Sequence, residues 1–359
     1  MRLAREGNAL ARWILLADAF LVCLFLLGCG SSSTPTPPPP PAPLGHAYVV
    51  TGNTTYSYSI TAATGTLQSV SVSAGLPGVG KYITSNGTYV YVLVDNGLIT
   101  AYKINSDFTL GEIAGSPFSG APNGVAFVAV DPAGKYLFVP APLNSVVEPY
   151  TIIAATGALT AGNLAATPAG PLTVTVDPQD RFVYVPMDSG GTELFQLNGG
   201  ALIDVETIPP LASGKSEFVA ITPNGQFAYI ADGVSGIAAY SVNSSTGQLT
   251  PIASTPFTAG PGTSTLAITP NGKFLYAATT AGLTSFTINS DGTLSANGPV
   301  LPLSSPAVVL SIEPTGAYMY ATTVGASQIS VFGIQSSGLL TQLPVVVTPS
   351  VPSGIVTTY

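Results

Sequence analysis

The chain has 359 residues, longer than one compact core usually serves, so several domains or a repeat array is expected. Only 7% of residues are charged, against roughly a quarter in an average soluble protein, so the polar surface must be built from Ser, Thr, Asn, Gln and Gly. A formal net charge of -8 excludes phosphate-backbone recognition, which needs clustered Lys and Arg, and nucleic acid is not an expected partner.

Residues 1–28 read as an export signal. Arg2, Arg5 and Arg12 form the positive flank, and Trp13 to Leu27 form an apolar run that Asp18 interrupts. Leu26-Leu27-Gly28-Cys29 resembles the lipobox of bacterial lipoproteins, in which the Cys is acylated and becomes the mature N-terminus. The alternative is a plain membrane anchor, for which the 15-residue run is short of the roughly 20 residues a span needs. In that resemblance Gly30, a residue other than Asp after the Cys, implies sorting to the outer membrane if the cell is Gram-negative. Cys29 is thus the expected lipid attachment, and several acyl chains give a stable membrane anchor. The only other cysteine, Cys23, lies in the discarded run, so the mature domain has no thiol for a disulfide, a nucleophile or a metal. Six basic and fifteen acidic residues remain after residue 28, a net of -9. Residues 29–43 form a Ser/Thr/Pro-rich tether in which Pro37 to Pro41 should be an extended, semi-rigid spacer.

From residue 44 onward one motif recurs. Val219 to Tyr229 is a short alternating strand, a Thr-Pro-Asn-Gly turn and a second strand carrying aromatics. Pro presets φ at the first central position and Gly frees the exit of a type I turn. Copies run from Val128 to Phe138, Val174 to Tyr184, Leu266 to Tyr276 and Leu310 to Tyr320, with a looser one at Ile83 to Tyr91. A third strand follows each, with an aromatic at Tyr58, Tyr102, Tyr150, Phe195, Tyr240, Phe286 and Phe332 and a turn such as Thr246-Gly247-Gln248-Leu249. A fourth short strand begins at the Leu. The second-strand aromatics Tyr48, Tyr91, Phe138, Tyr184, Tyr229, Tyr276 and Tyr320 are 43 to 47 residues apart.

Seven units of four strands at this period define an all-β, seven-bladed β-propeller over residues 44–359. The chain enters on a second strand at His46 and leaves on an unpartnered first strand. Gly354 to Thr358 should therefore be the innermost strand of the N-terminal blade, closing the ring and removing two exposed edges.

These Asp-Pro-x-Gly turns, Tyr-Val strands and Thr-Gly-x-Leu turns resemble the lactonase-type seven-bladed propellers, the family of 6-phosphogluconolactonase, and the related YVTN-repeat surface proteins. The absence of Trp after Trp13 speaks against WD40 and kelch propellers. The resemblance implies a lactone hydrolase using His, Arg and Glu around the channel. Here Leu172 and Thr173 stand where the family's His is expected. His46 is the only His and reads as an exposed strand-end residue, while Arg181, the sole mature Arg, belongs to the turn face. With His46 as the only His, by the tether, and no Cys in the mature domain, neither a hydrolytic triad nor the usual catalytic zinc set can be assembled. No cofactor and no metal are expected.

The loops before first strands and those joining second to third strands should surround the channel mouth, the default ligand site. Lys81, Asn123, Lys215 and Glu217 come from the former, and Asp95, Asn144, Asp188 and Asp232 from the latter. Lys81, Asp95, Asn123, Asp188, Lys215 and Asp232 are the ligand-binding candidates. Glu217 and Asp188 are the candidates for a carboxylate-only catalytic base. Each Asp before a Gly also suits bonding its own turn backbone, and Lys215 and Glu217 also suit a surface ion pair. The reading is a monomeric, membrane-anchored β-propeller at the periplasm or cell surface that binds a protein or glycan partner of the envelope. The alternative is a lactonase-like hydrolase with a rearranged or lost site.

Overall fold

The computed structural model describes residues 44–73, 75–119, 124, 127–210, 215–234 and 236–359. The expectations for the export signal, Cys29, the tether and Asn123 fall outside these residues. No helix of the described residues is long and apolar enough to cross a membrane.

Seven antiparallel sheets follow one another as blades, each ordered from its innermost strand outward. Blade 2 is representative: Gly80–Ser85, Tyr89–Val94, Ile99–Ile104 and Leu110–Glu112. The innermost strands of blades 3 to 7 are Ala129–Val130, Thr175–Val176, Ser216–Ile221, Thr265–Ile268 and Ala307–Ile312. Blade 1 is made from both ends of the repeat region. Pro352–Thr358 pairs antiparallel with Gly45–Thr51, placing His46 opposite Thr358 and Val50 opposite Gly354. The ring closes as the unpaired end strands require.

In blades 3 to 7 the turn between first and second strands has one chemistry. In blade 3, Gly134 N–H donates to the Asp131 carbonyl (2.9 Å), and Gly134 sits at φ +68°, which glycine adopts at little cost. The residue opening the turn also caps it with its side chain. Asp131 Oδ1 accepts from the N–H groups of Lys135 and Tyr136, both at 2.7 Å. Asp177 and Glu313 serve in the same way, and in blades 5 and 6 the hydroxyls of Thr222 and Thr269 take the Phe227 and Phe274 N–H groups. Those carboxylates are buried at 3%, 1% and 0% exposure; the turn amides replace water at the accepting oxygen, while Asp131 Oδ2 is left without a hydrogen-bond partner.

The core lies between blades. Seven buried apolar clusters occupy the seven seams, each drawing its side chains from two neighbouring blades. All seven second-strand aromatics are at 0% exposure. Burial of each is worth about 1.5–3 kcal/mol. Six of the seven are Tyr, and their hydroxyls donate across the seam to a carbonyl in the next blade's third-to-fourth-strand turn. Tyr91 reaches Gly157 (3.0 Å), Tyr184 Gly247 (2.6 Å), Tyr229 Gly292 (2.9 Å), Tyr276 Gly338 (3.0 Å), Tyr320 Gly65 (2.7 Å) and Tyr48 Phe108 (3.4 Å). Phe138 has no hydroxyl, so the seam between blades 3 and 4 lacks this latch. Two residues before each latch aromatic, a second ring covers the same turn; Tyr89 lies over Gly157 and Phe182 over Gly247. Both glycines have positive φ (75° and 76°), and a Cβ there would collide with the ring.

His46 occupies this ring position in blade 1. It is 3% exposed and stacks on Phe108, which corrects the expectation of an exposed strand-end residue. The strand end is covered because the neighbouring blade's turn folds over it, a contact made 62 residues away in sequence.

Candidate functional site

At the face where chains enter the first strands, the inner strands enclose a central cavity of about 500 Å³. Every blade contributes. Lys81 and Tyr82 come from blade 2, Phe127 from the entry to blade 3, Leu172 and Thr173 from blade 4, and Glu217 and Phe218 from blade 5. Ser264 and Thr265 belong to blade 6, Val308 and Thr323 to blade 7, and Pro352 and Ser353 to the closing strand.

A repeated irregularity aims the charged side chains. The ladder pairs Gly80 with Val94 and Tyr82 with Leu93, so Lys81 is an unpaired bulge residue. Glu217 is skipped in the same way between Ser216 and Phe218, and Val308 between Ala307 and Val309. A bulge re-aims the extra residue and ends regular pairing. In these three blades the re-aimed residue lines the mouth.

The cavity wall is largely aromatic and aliphatic. Tyr82 and Phe127 are tilted at 45° with centroids 4.4 Å apart, and Phe218 meets Phe127 edge-on at 6.2 Å. Both arrangements suit the ring quadrupoles. Burial pushes the Tyr82 phenol above its usual range, so it stays protonated and able to donate. Glu217 is held by Lys215, Nζ to Oε1 at 2.8 Å, with side chains 21% and 51% exposed. A pair this exposed adds little stability but fixes the carboxylate's position. Thr173 donates its hydroxyl to the Glu217 carbonyl (3.3 Å), and Ser353 donates to the Gly80 carbonyl (2.6 Å). Thr323 differs from them. It is 3% exposed, and its Oγ1 has no hydrogen-bond partner.

The structure separates the sequence candidates into two groups. Lys81 and Glu217 line the cavity, with Lys215 attached to Glu217. Asp95, Asp188 and Asp232 do not line it; they tie loops. Asp95 Oδ1 accepts from Val79 N–H (3.0 Å), and Asp188 Oδ1 from Gly170 N–H (3.2 Å) and the Ser189 hydroxyl (3.2 Å). Both therefore fasten the loop entering their own blade, whereas Asp232 bonds its own turn at Val234 N–H (3.1 Å). Arg181 lies in the opposite turn face, its guanidinium on Asp177 at 2.8 Å. Among the described residues no group of three or more His, Cys, Asp or Glu is arranged to hold a metal ion.

Sequence reasoning missed Tyr82, Phe127, Phe218 and Thr323. A signal existed for two of them. Gly80-Lys81-Tyr82 and Ser216-Glu217-Phe218 repeat a small–charged–aromatic pattern at the head of a first strand. Nothing in the sequence marks Thr323.

The comparisons agree with this architecture. The family model for the seven-bladed β-propeller lactonases matches residues 189–278 and 229–355. No curated protein sequence matches the chain. Among solved structures, the periplasmic gluconolactonase of Pseudomonas aeruginosa is similar at 17% identity and TM-score 0.73, over 88% of this chain and 99% of that one. A Bacteroides fragilis protein provisionally assigned as a 6-phosphogluconolactonase gives 17% and 0.75 over 90% and 100%. A Lactobacillus plantarum protein gives 20% and 0.72 over 88% and 99%. At these identities the likeness is one of fold. The chain is a seven-bladed β-propeller, and its residues 189–355 match the model of the lactonase family of that fold.

Proposed function

We propose that this protein is an exported, lipid-anchored propeller that holds a small ligand at its channel mouth as a binding module of the cell envelope. The observation that carries the reading is the cavity of about 500 Å³, walled by Tyr82, Phe127 and Phe218 and carrying one fixed carboxylate, Glu217. Volumes of roughly 300–1,000 Å³ with apolar walls and a few placed polar groups are typical of small-molecule sites. Leu172 and Thr173 occupy the wall where the family's His is expected, so the cavity offers shape and hydrogen bonds without an imidazole base. Export is supported by the signal-like residues 1–28 and by the periplasmic location named for the Pseudomonas aeruginosa relative. Anchoring and outer-membrane sorting rest on Cys29 and Gly30.

A second reading, lactone hydrolysis with Glu217 as general base, is favoured by the gluconolactonase relatives. A panel of lactones, 6-phosphogluconolactone included, separates the two. Binding without turnover is the expected result. Turnover abolished by Glu217→Ala would replace the first reading with the second. Metabolic labelling with palmitate tests the anchor, and label retained in Cys29→Ser would overturn it.

A further inference from the structure

Beyond the reading of the mouth as a ligand site, on which this inference rests, the chemistry of its walls narrows what it takes. Two observations bear on the ligand. Lys81 is an unpaired bulge residue on the cavity wall, and no ion pair to it occurs among the described residues. On a mature domain of net charge -9 such a cation is rare; only six basic residues follow residue 28, and Arg181 and Lys215 are already paired. The second is the aromatic wall of Tyr82, Phe127 and Phe218, which offers ring faces and edges together with a protonated phenol.

We propose that the mouth binds a ring-bearing monocarboxylate. The apolar ring packs on Phe127 and Phe218, the carboxylate pairs with the Lys81 ammonium, and the Tyr82 hydroxyl bonds a polar substituent. Glu217, three blades from Lys81 around the ring, opposes a second negative charge on the ligand. A phosphorylated sugar acid is disfavoured on two counts: it brings a dianionic phosphate to a wall where Lys81 is the one cation among the described lining residues, and it has no apolar ring for that wall. A charge-assisted pair of this kind carries roughly twice the strength of a neutral hydrogen bond, so the carboxylate should dominate selectivity.

Isothermal titration calorimetry on the full-length protein tests this with four probes: phenylacetate, benzyl alcohol, gluconate and 6-phosphogluconate. Phenylacetate should bind at least tenfold tighter than benzyl alcohol, with gluconate and 6-phosphogluconate weaker still. Lys81→Met should bring phenylacetate down to the level of benzyl alcohol and leave benzyl alcohol unchanged. Phe218→Ala should weaken both, and circular dichroism of each variant would confirm the native fold. Tighter binding of either sugar acid, or undiminished phenylacetate binding in Lys81→Met, would overturn the monocarboxylate assignment while leaving the mouth a ligand site. Absence of binding by all four probes would overturn the ligand-site reading itself.

Discussion

The imidazole of His46 lies flat on the ring of Phe108, with centroids 3.3 Å apart and planes 10° from parallel. At the other six seams the same place is taken by an aromatic ring over a glycine, as with Tyr89 on Gly157 and Tyr318 on Gly65. Phe108 therefore stands where the repeat wants glycine, and it adopts φ +64° to do so. The associated latch, Tyr48 hydroxyl to Phe108 carbonyl, is the longest of the six at 3.4 Å.

Burial lowers the His46 pKa below its ordinary 6.5, and its Nδ1 has no partner. The sign follows from linkage: below pH 6.5 the unfolded chain binds more protons than the folded one, so stability falls with pH until the folded pKa is passed. Within that window the loss approaches 1.4 kcal/mol per pH unit. His46→Phe should flatten the decline of urea-melt stability between pH 6.5 and 5. An unchanged slope would show that His46 does not set it.

The seam between blades 3 and 4 lacks a latch because Phe138 has no hydroxyl. Phe138→Tyr should supply the donor toward the turn carrying Gly200 and raise stability by about 0.5–1.5 kcal/mol. The reverse change, Tyr184→Phe, should cost a similar amount by removing the 2.6 Å bond to Gly247. Both are read from the urea midpoint at constant m. Phe138→Tyr leaving hydrogen exchange at residues 136–141 and 182–186 unslowed would refute the latch at this seam.

Glu193, 2% exposed on the third strand of blade 4, has its pKa pushed up to about 7, first by burial and then by Asp204. The folded state therefore holds its proton more tightly than the unfolded one. Stability from this group is full below about pH 4.5 and is lost as pH rises towards 7. Glu193→Gln keeps an acceptor for the Thr207 hydroxyl and removes the charge. It should stabilise by about 1–3 kcal/mol at pH 8 and by nothing measurable at pH 4.5. Equal shifts in Tm at the two values would defeat the argument.

Removal of residues 352–359 takes away the whole strand paired with Gly45–Thr51 and strips cover from blades 1, 2 and 7. The truncated chain should lose its cooperative thermal transition. Deleting Tyr359 alone, a residue 75% exposed, should change stability by no more than about 0.5 kcal/mol. A cooperative transition surviving the longer deletion would mean that the ring does not depend on its closing strand.

How much of this was legible in the sequence divides by the range of the interaction. Turns such as Thr269-Pro270-Asn271-Gly272 are written within four residues, so blade number and ring closure could be read directly. Five of the six latches join residues 60–66 apart, as Tyr91 and Gly157 are, the sixth joins Tyr320 to Gly65 across 255, and no local pattern announces them. His46 was misjudged for the same reason, although its place two residues before Tyr48 matched that of Tyr89 before Tyr91. At the mouth, Lys81 and Glu217 were visible as rare charges at strand heads. The roles of Asp95 and Asp188 were not, since their partners Val79 and Gly170 lie 16 and 18 residues back, reached only through the sheet.

The closing strand also fixes an order of events. Each seam joins neighbours in sequence except the one completed by Pro352–Thr358, whose partner was made some three hundred residues earlier. An array of nearest-neighbour units can begin folding at any blade. It cannot end until that last strand arrives, and until then the chain is an open arc with apolar seam faces bare at both ends. With so few charges to keep such arcs apart, the interval before closure is when this protein is most exposed to aggregation.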